Sequence, residues 1–212
     1  MRTTERNGAA ATRDRMVAAA VETLKREGFG GSTARAIAQT GGFNQALIFY
    51  HFGTLHQLLL AALDRTSTER MERYRSMASQ ARDFAGLLRV AAEVYGEDLR
   101  SGHIKVLAEM IAGASSEPEL GPEIVRRVEP WIEFATSETS RVLEGSSIEG
   151  AVPAEDVAYA VVALYLGIEL LAHLEGDTAR AERLFALAQN LATVLGPTLG
   201  LGGAPQEGGH AR

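Results

Sequence analysis

Apolar residues recur along the whole chain at a helical period. Met16, Val17, Ala20, Val21 and Leu24 follow Thr12, which is placed to cap a first helix, and Gly28 tolerates the left-handed exit that would end it. Ser32 or Thr33 can cap a short second helix with Ile37 and Ala38 on its inner face, closed by Gly41 and Gly42. Asn44 can cap a third short helix ending near Phe52. A fourth begins after Gly53-Thr54 and carries Leu58, Leu59, Ala62 and Leu63. Longer segments follow at roughly 83–100, 103–115, 121–144, 154–174 and 178–196. Pro118, Pro122 and Pro153 separate them, because proline lacks an amide donor and clashes with the preceding turn; Pro130, inside its segment, predicts a kink or a boundary. No run of alternating β-branched residues is long enough for a strand, so the expected fold is all-α. The expected organisation is a flexible N-terminus (1–11), a head of short helices (12–65), a body of longer ones (66–197) and a flexible Gly/Pro-rich tail (198–212).

Composition narrows the function. At 212 residues and 46% hydrophobic content the chain can bury a real core. The absence of cysteine excludes disulfides, thiolate zinc sites and cysteine nucleophiles, and suits a reducing cytoplasm. The opening MRTTERNGAAATRDR lacks the apolar core of a signal peptide. The most apolar run, Val157 to Ile168, meets Glu169 and His173 well short of the roughly 20 residues a span requires, so a cytoplasmic protein with no membrane partner is expected. GFGGST at 28–33 has neither a following lysine nor a preceding strand, so it is no phosphate-binding loop. His51 and His56 are splayed by their five-residue spacing, and no Ser, His and acid trio has a recognisable context. Neither enzyme activity nor a metal or cofactor is expected. The net charge of -6 argues against nucleic acid, but residues 1–56 hold 7 Lys+Arg against 4 Asp+Glu, so a basic head is joined to an acidic remainder.

Two short helices joined by a glycine turn are the arrangement of a helix-turn-helix. On the second, Phe43, Ile48 and Phe52 can share the inward face, leaving Asn44, Gln45, Leu47, Phe49, Tyr50 and His51 on the others. Asn and Gln amides can pair bidentately with adenine in a major groove, whereas Tyr and His can donate to phosphate oxygens and fix register. A short aromatic-rich helix is also an ordinary core element. The whole of residues 12–65, however, resembles the N-terminal DNA-binding domain of the TetR family of transcriptional regulators. The residues that carry the likeness are EGFGG at 27–31, STARAIAQTGGFNQALIFYHF at 32–52 and LLLAALD at 58–64.

The resemblance implies that Thr33 and Arg35 contact phosphate or bases, that Gln45, Ala46 and Leu47 read bases, and that Phe49, Tyr50 and His51 meet the DNA backbone. Two residues depart from the family's pattern. Phe49 stands where a tyrosine is usual and Leu55 where a lysine commonly meets phosphate, so binding should be less salt-dependent, by roughly 0.9 log unit of slope for each missing phosphate ligand. Arg13, Arg15 and Arg35 are candidates to compensate.

In the body, Val157, Val161, Leu164, Ile168 and Leu171 follow a 4-3-4-3 spacing that reads as a helix-packing seam, with Ala160, Ala163, Gly167, Leu170 and Leu174 beside it. Leu184, Leu187, Leu191 and Val194 repeat the pattern in the last helix. These helices can simply fill the middle of one domain. The resemblance implies instead that they pair with their copies as a homodimer interface, spacing two recognition helices on a double-stranded operator. Polar and aromatic residues on apolar helices, Tyr95, His103, Met110, Trp131, Phe134, Tyr165 and Glu169, are candidates for a small-molecule effector pocket, with core packing as the alternative role for each. The resemblance implies that such a pocket exists but carries no residue over. The reading is a ligand-responsive repressor; its rivals are a small-molecule-sequestering helical dimer and a nonspecific architectural DNA binder.

Overall fold

The structure, a computed structural model, describes residues 2–201, with side chains except at 2–7 and 103. They form α1 (Arg2–Gly31), α2 (Ala34–Gly41), α3 (Ala46–Phe52), α4 (Leu55–Ala78), α5 (Phe84–Ser101), α6 (His103–Ala114), α7 (Leu120–Leu143), α8 (Ala154–Glu175) and α9 (Ala179–Leu199). No strand occurs among the described residues, and the fold is all-α.

Where the elements depart from expectation, side-chain chemistry supplies the reason. The first helix starts at Arg2 rather than Thr12, so residues 2–11 are helical instead of irregular. Thr12 does not cap it: its hydroxyl donates to the Gly8 carbonyl at 2.8 Å, the back-bond of a threonine inside a helix. Pro130 does not end α7, and Pro197 lies inside α9, which continues to Leu199. Of the predicted tail, residues 202–212 lie outside the described residues. The apolar α8 is a 22-residue helix with a mean hydropathy of 1.9 over its most apolar window, long and apolar enough to cross a bilayer, because Glu169 and His173 do not interrupt it. Only 17% of that window is buried.

The described residues divide into two units, 2–72 with 97–130 and 73–96 with 131–201. The expected boundary at 65/66 therefore falls within α4, and the helix-turn-helix belongs to a unit that also contains α6.

In the first unit α1 packs on both α2 and α6. Met16, Ala20, Leu24, Ile37, Ile48 and Leu58 are fully buried there. Gly28 ends the regular part of α1 with φ 72° and ψ -176°, a backbone region open essentially to glycine alone. A Cβ at that position would also come within 2.7 Å of the Glu109 carboxylate. That carboxylate accepts the Phe29 N–H at 2.8 Å and so ties the end of α1 to α6. Gly113, one turn further along α6, leaves room for the Phe29 ring, which a Cβ there would meet at 2.5 Å. Arg70 and Asp98 form a two-pronged ion pair at 3.0 and 2.7 Å, both nearly out of reach of water. Nothing in the periodicity announces this pair, because it joins helices 28 residues apart.

In the second unit α8 packs against α9, with Ala158, Glu169 and Ala172 of α8 and Ala181, Ala192 and Gly196 of α9 buried. Arg141 donates to the Ala81 carbonyl at 2.9 Å, closing the link between α4 and α5. The Ser147 hydroxyl donates to the Leu199 carbonyl at 3.0 Å, fixing the end of α9.

Removing one member of the buried ion pair strands the other charge in a site of low polarity. Asp98→Ala should lower the unfolding free energy by about 3–5 kcal/mol in urea denaturation, and Asp98→Ala combined with Arg70→Met should cost less than the single change.

Candidate functional sites

The helix-turn-helix is assembled from local devices. Thr33 caps α2, its hydroxyl accepting the Ala36 N–H at 3.2 Å, while the buried Ser32 donates to the Gly28 carbonyl at 2.7 Å. The two glycines of the turn have separate tasks. A Cβ on Gly41 would collide with the Phe43 ring and meet Ala19 at 2.9 Å, so this position supplies space. Gly42 has φ 64° and supplies the left-handed cap. Asn44 then accepts the Ala46 N–H at 2.9 Å, starting α3, and Thr54 accepts the Gln57 N–H at 3.1 Å, starting α4.

On α3 the inward residues are Ile48, fully buried, and Phe52, 9% exposed; Phe43, half-buried, lies against Gly41. Arg13 holds the far end. It donates to the His51 carbonyl at 2.6 Å, and its guanidinium carbon sits 4.1 Å from the centre of the Phe52 ring. Expected as a substitute phosphate ligand, Arg13 is instead bound to the helix it presents. Arg15 and Arg35 are exposed, and neither forms an ion pair among the described residues.

The other candidate positions divide by exposure. Thr33, Arg35, Asn44, Gln45 and Ala46 are exposed, while Leu47 and His51 are half-buried. Phe49 and Tyr50 are 51% and 83% exposed, and the Tyr50 and His51 rings meet edge to face at 5.0 Å. Asn44 and Gln45 differ in a way their shared chemistry hides. The Asn44 carbonyl oxygen is committed to Ala46, whereas Gln45 makes no capping bond and offers both donor and acceptor. The outward surface of α3 thus joins a free amide to two aromatic rings.

A sequence model described as bacterial regulatory proteins, tetR family, matches residues 16–62, the segment that holds all of these devices. Over these residues the chain carries a tetR-family DNA-binding segment. Solved structures share the fold over most of its length. A TetR transcriptional regulator from Chloroflexus aurantiacus J-10-FL is 19% identical, with 88% of this chain and 96% of that one covered at a TM-score of 0.74. FadR, a fatty acid degradation regulator from Bacillus halodurans, is 15% identical, with coverage of 84% and 93% and a TM-score of 0.68. A transcriptional regulator from Saccharomonospora viridis in complex with choline is 18% identical, with coverage of 87% and 96% and a TM-score of 0.69. No curated protein matches the chain closely enough to carry a role across. The tetR match is to regulators of transcription that bind DNA through a helix-turn-helix.

The body of the chain sorts its candidates differently from the sequence reading. Of the expected effector residues, Met110 is fully buried in the first unit, and the side chain of His103 lies outside the described residues. The remaining five, Tyr95, Trp131, Phe134, Tyr165 and Glu169, belong to the second unit, where Tyr95 and Glu169 are buried and the others half-buried. Two residues that the sequence reading missed, Tyr74 and Phe185, join them through ring contacts. Tyr74 sits in a charged stretch, ERYRS, and the only signal for it was its helical spacing from Met71 and Ala78, which are buried with it.

On the outer side of α8, Val161, Leu164 and Leu171 are exposed, whereas Val157 and Ile168 turn partly inward. The exposed row runs through Ala160, Leu164, Leu170, Leu171 and Leu174. On α9 Leu184, Leu187 and Leu191 are all exposed, with Val194 and Leu195 beyond them.

One further cluster lies in the first unit. The two nitrogens of His56 meet separate carboxylates, Nε2 at 2.5 Å from Glu117 and Nδ1 at 3.6 Å from Glu119. The three side chains each bring one ligand atom to within 4.8 Å of the others. The clamp fixes the first turn of α4 to the link between α6 and α7.

The anchoring and the reading sides of α3 should separate in a stability measurement. Ile48→Ala should destabilise the fold by about 2–5 kcal/mol, the range for a fully buried aliphatic side chain, while Gln45→Ala should change it by less than about 0.5 kcal/mol. Urea denaturation followed by circular dichroism measures both.

Proposed function

We propose that the chain is a sequence-specific transcriptional repressor that acts in the cytoplasm as a homodimer on a pseudo-palindromic operator and responds to a small-molecule effector. The observation that carries the DNA-binding part is the outward surface of α3, where Gln45, Ala46, Phe49 and Tyr50 are exposed on a helix whose other side is fixed by Ile48 and Phe52. Gln45 reads a base, since its amide can donate and accept at once, as the edge of adenine requires. Asn44 supports the helix entry and offers only its NH2 group. Thr33, Arg35, Tyr50 and His51 fix register on phosphates, and Leu47 and Ala46 meet apolar base surface. Phe49, without a hydroxyl, packs on sugar.

The homodimer is supported by the outer rows of α8 and α9. Large apolar side chains from Tyr159 to Leu174 and from Leu184 to Leu195 face water in the single chain, a patch of the kind soluble proteins cover with a partner. Ala160, Ala163 and Gly167 keep the α8 surface low enough for close helix approach. Isologous pairing of this surface makes a four-helix contact and gives the two-fold symmetry that a palindrome mirrors.

The effector reading is supported by the polar and aromatic groups enclosed in the second unit and by a regulator of the same fold that was crystallised with choline. For an effector to release the operator it must prefer one arrangement of the protein; equal affinity for both arrangements shifts nothing. Occupying the operator blocks transcription, and the effector relieves the block.

Binding assays with a selected site and a scrambled competitor test this reading. Gln45→Ala should weaken the selected site by about 1–3 kcal/mol and relax preference at one position, whereas His51→Ala should weaken all sequences alike. Equal affinity of the parent protein for selected and scrambled DNA would mark a nonspecific architectural binder. No binding by a folded dimer would mark a sequestering protein.

A further inference from the structure

The residues on either side of Pro118 reach the same imidazole. His56 stands in the first turn of α4, whereas Glu117 and Glu119 lie on the link between α6 and α7, so only the fold brings the three together. Each offers one ligand atom within 4.8 Å of the other two. Both backbone segments are well footed in the first unit. Leu58 and Leu59 follow His56 and Leu120 follows Glu119, all three buried. The link itself is closed by the Glu117 N–H on the Gly113 carbonyl and the Leu120 N–H on the Glu117 carbonyl, each at 3.0 Å.

What this cluster lacks is positive charge. With a neutral imidazole it carries two negative charges, and with an imidazolium it still carries one. Neither glutamate pairs with a lysine or arginine among the described residues. A histidine and carboxylate pair this open to water contributes little, and a second carboxylate on the same ring repels the first. A divalent cation brings the sum to zero. The donor set also selects among cations: imidazole nitrogen suits zinc and its transition-metal neighbours, whereas magnesium and calcium favour oxygen ligands throughout.

The geometry is within reach of loading. Around a tetrahedral zinc ion, with bonds of about 2.0–2.2 Å, ligand atoms lie roughly 3.4 Å apart, so the widest gap must close by roughly 1–1.5 Å while the short contact between His56 and Glu117 opens. Glutamate side chains can swing that far here, since Glu117 is 34% exposed and Glu119 77%. The same openness lets water take the remaining position.

We propose that His56, Glu117 and Glu119 bind one divalent transition-metal ion of the zinc class, through one ring nitrogen and one oxygen from each carboxylate. The ion ties the start of α4, directly after the recognition helix, to the link between α6 and α7. This site goes beyond the regulator reading above and stands without it.

The test uses the full chain, free of any histidine tag and stripped with a chelator, titrated with zinc chloride or magnesium chloride in a calorimeter. One zinc ion per chain should bind in the micromolar range, with magnesium about a hundredfold weaker or silent. His56→Gln and Glu117→Gln should each weaken zinc at least about tenfold, since even the outer partners of metal ligands carry effects of that size. His173→Ala, at an exposed histidine on α8, should leave affinity unchanged. Zinc at about a hundred times its Kd should raise the thermal midpoint of the parent by about 5 °C or more, and the rise should vanish in His56→Gln. Should His56→Gln or Glu117→Gln fail to fold, Glu119→Gln tests the same site from its most exposed member. Absence of micromolar zinc binding, equal affinity for magnesium, or undiminished binding in the ligand variants would each overturn the proposal, the last by marking adventitious zinc on other histidines. Binding without a thermal shift would overturn the tie.

Discussion

The seven-residue length of α3 is the constraint on which the first unit depends. Isolated helices shorter than about 12–15 residues are marginal in water, so a helix this short persists only through what holds its inner side. Ile48 and Phe52 supply that hold by burial, Arg13 secures the last turn, and the Gly41-Gly42-Phe43 turn sets the entry from α2. A short, well-anchored helix has a functional merit. Its outward residues are free of packing duties, and its small girth and rigid footing suit insertion into a groove.

Much of this was legible in the sequence, because the devices are local. Thr33 as a cap, Gly42 as a left-handed exit and Asn44 at the start of α3 each act within four residues, and a residue type with its spacing identifies them. The helical period likewise places the longer helices to within a few residues of where they lie. What remained hidden was long-range. Glu109 accepts the Phe29 amide across 80 residues, Arg70 meets Asp98 across 28, and Tyr74 joins Tyr165 across 91. No window of sequence contains both members of such a pair. Arg13 shows the opposite failure: an arginine near a DNA-binding helix looks available for phosphate, and only the fold reveals that a backbone carbonyl and a ring already hold it.

The α8 helix combines two surfaces that a hydropathy average merges. Its inner side carries Tyr165 and Glu169 among aromatic rings, and its outer side carries leucines and small residues toward water. The 4-3-4-3 seam read from the sequence shares Leu164 and Leu171 with the exposed row and also takes in the half-buried Val157 and Ile168, because a helix with apolar residues nearly all round offers several equally regular rows. A single buried carboxylate, Glu169, distinguishes the inner side.

Selection from a random double-stranded DNA pool tests most directly the central claim that α3 is presented in pairs to read sequence. The account predicts enrichment of an inverted repeat whose half-sites are centred about 10 base pairs, or a multiple of that, apart, matching a two-fold pair of recognition helices. Enrichment of no sequence, or of single half-sites without a fixed spacing, would contradict it.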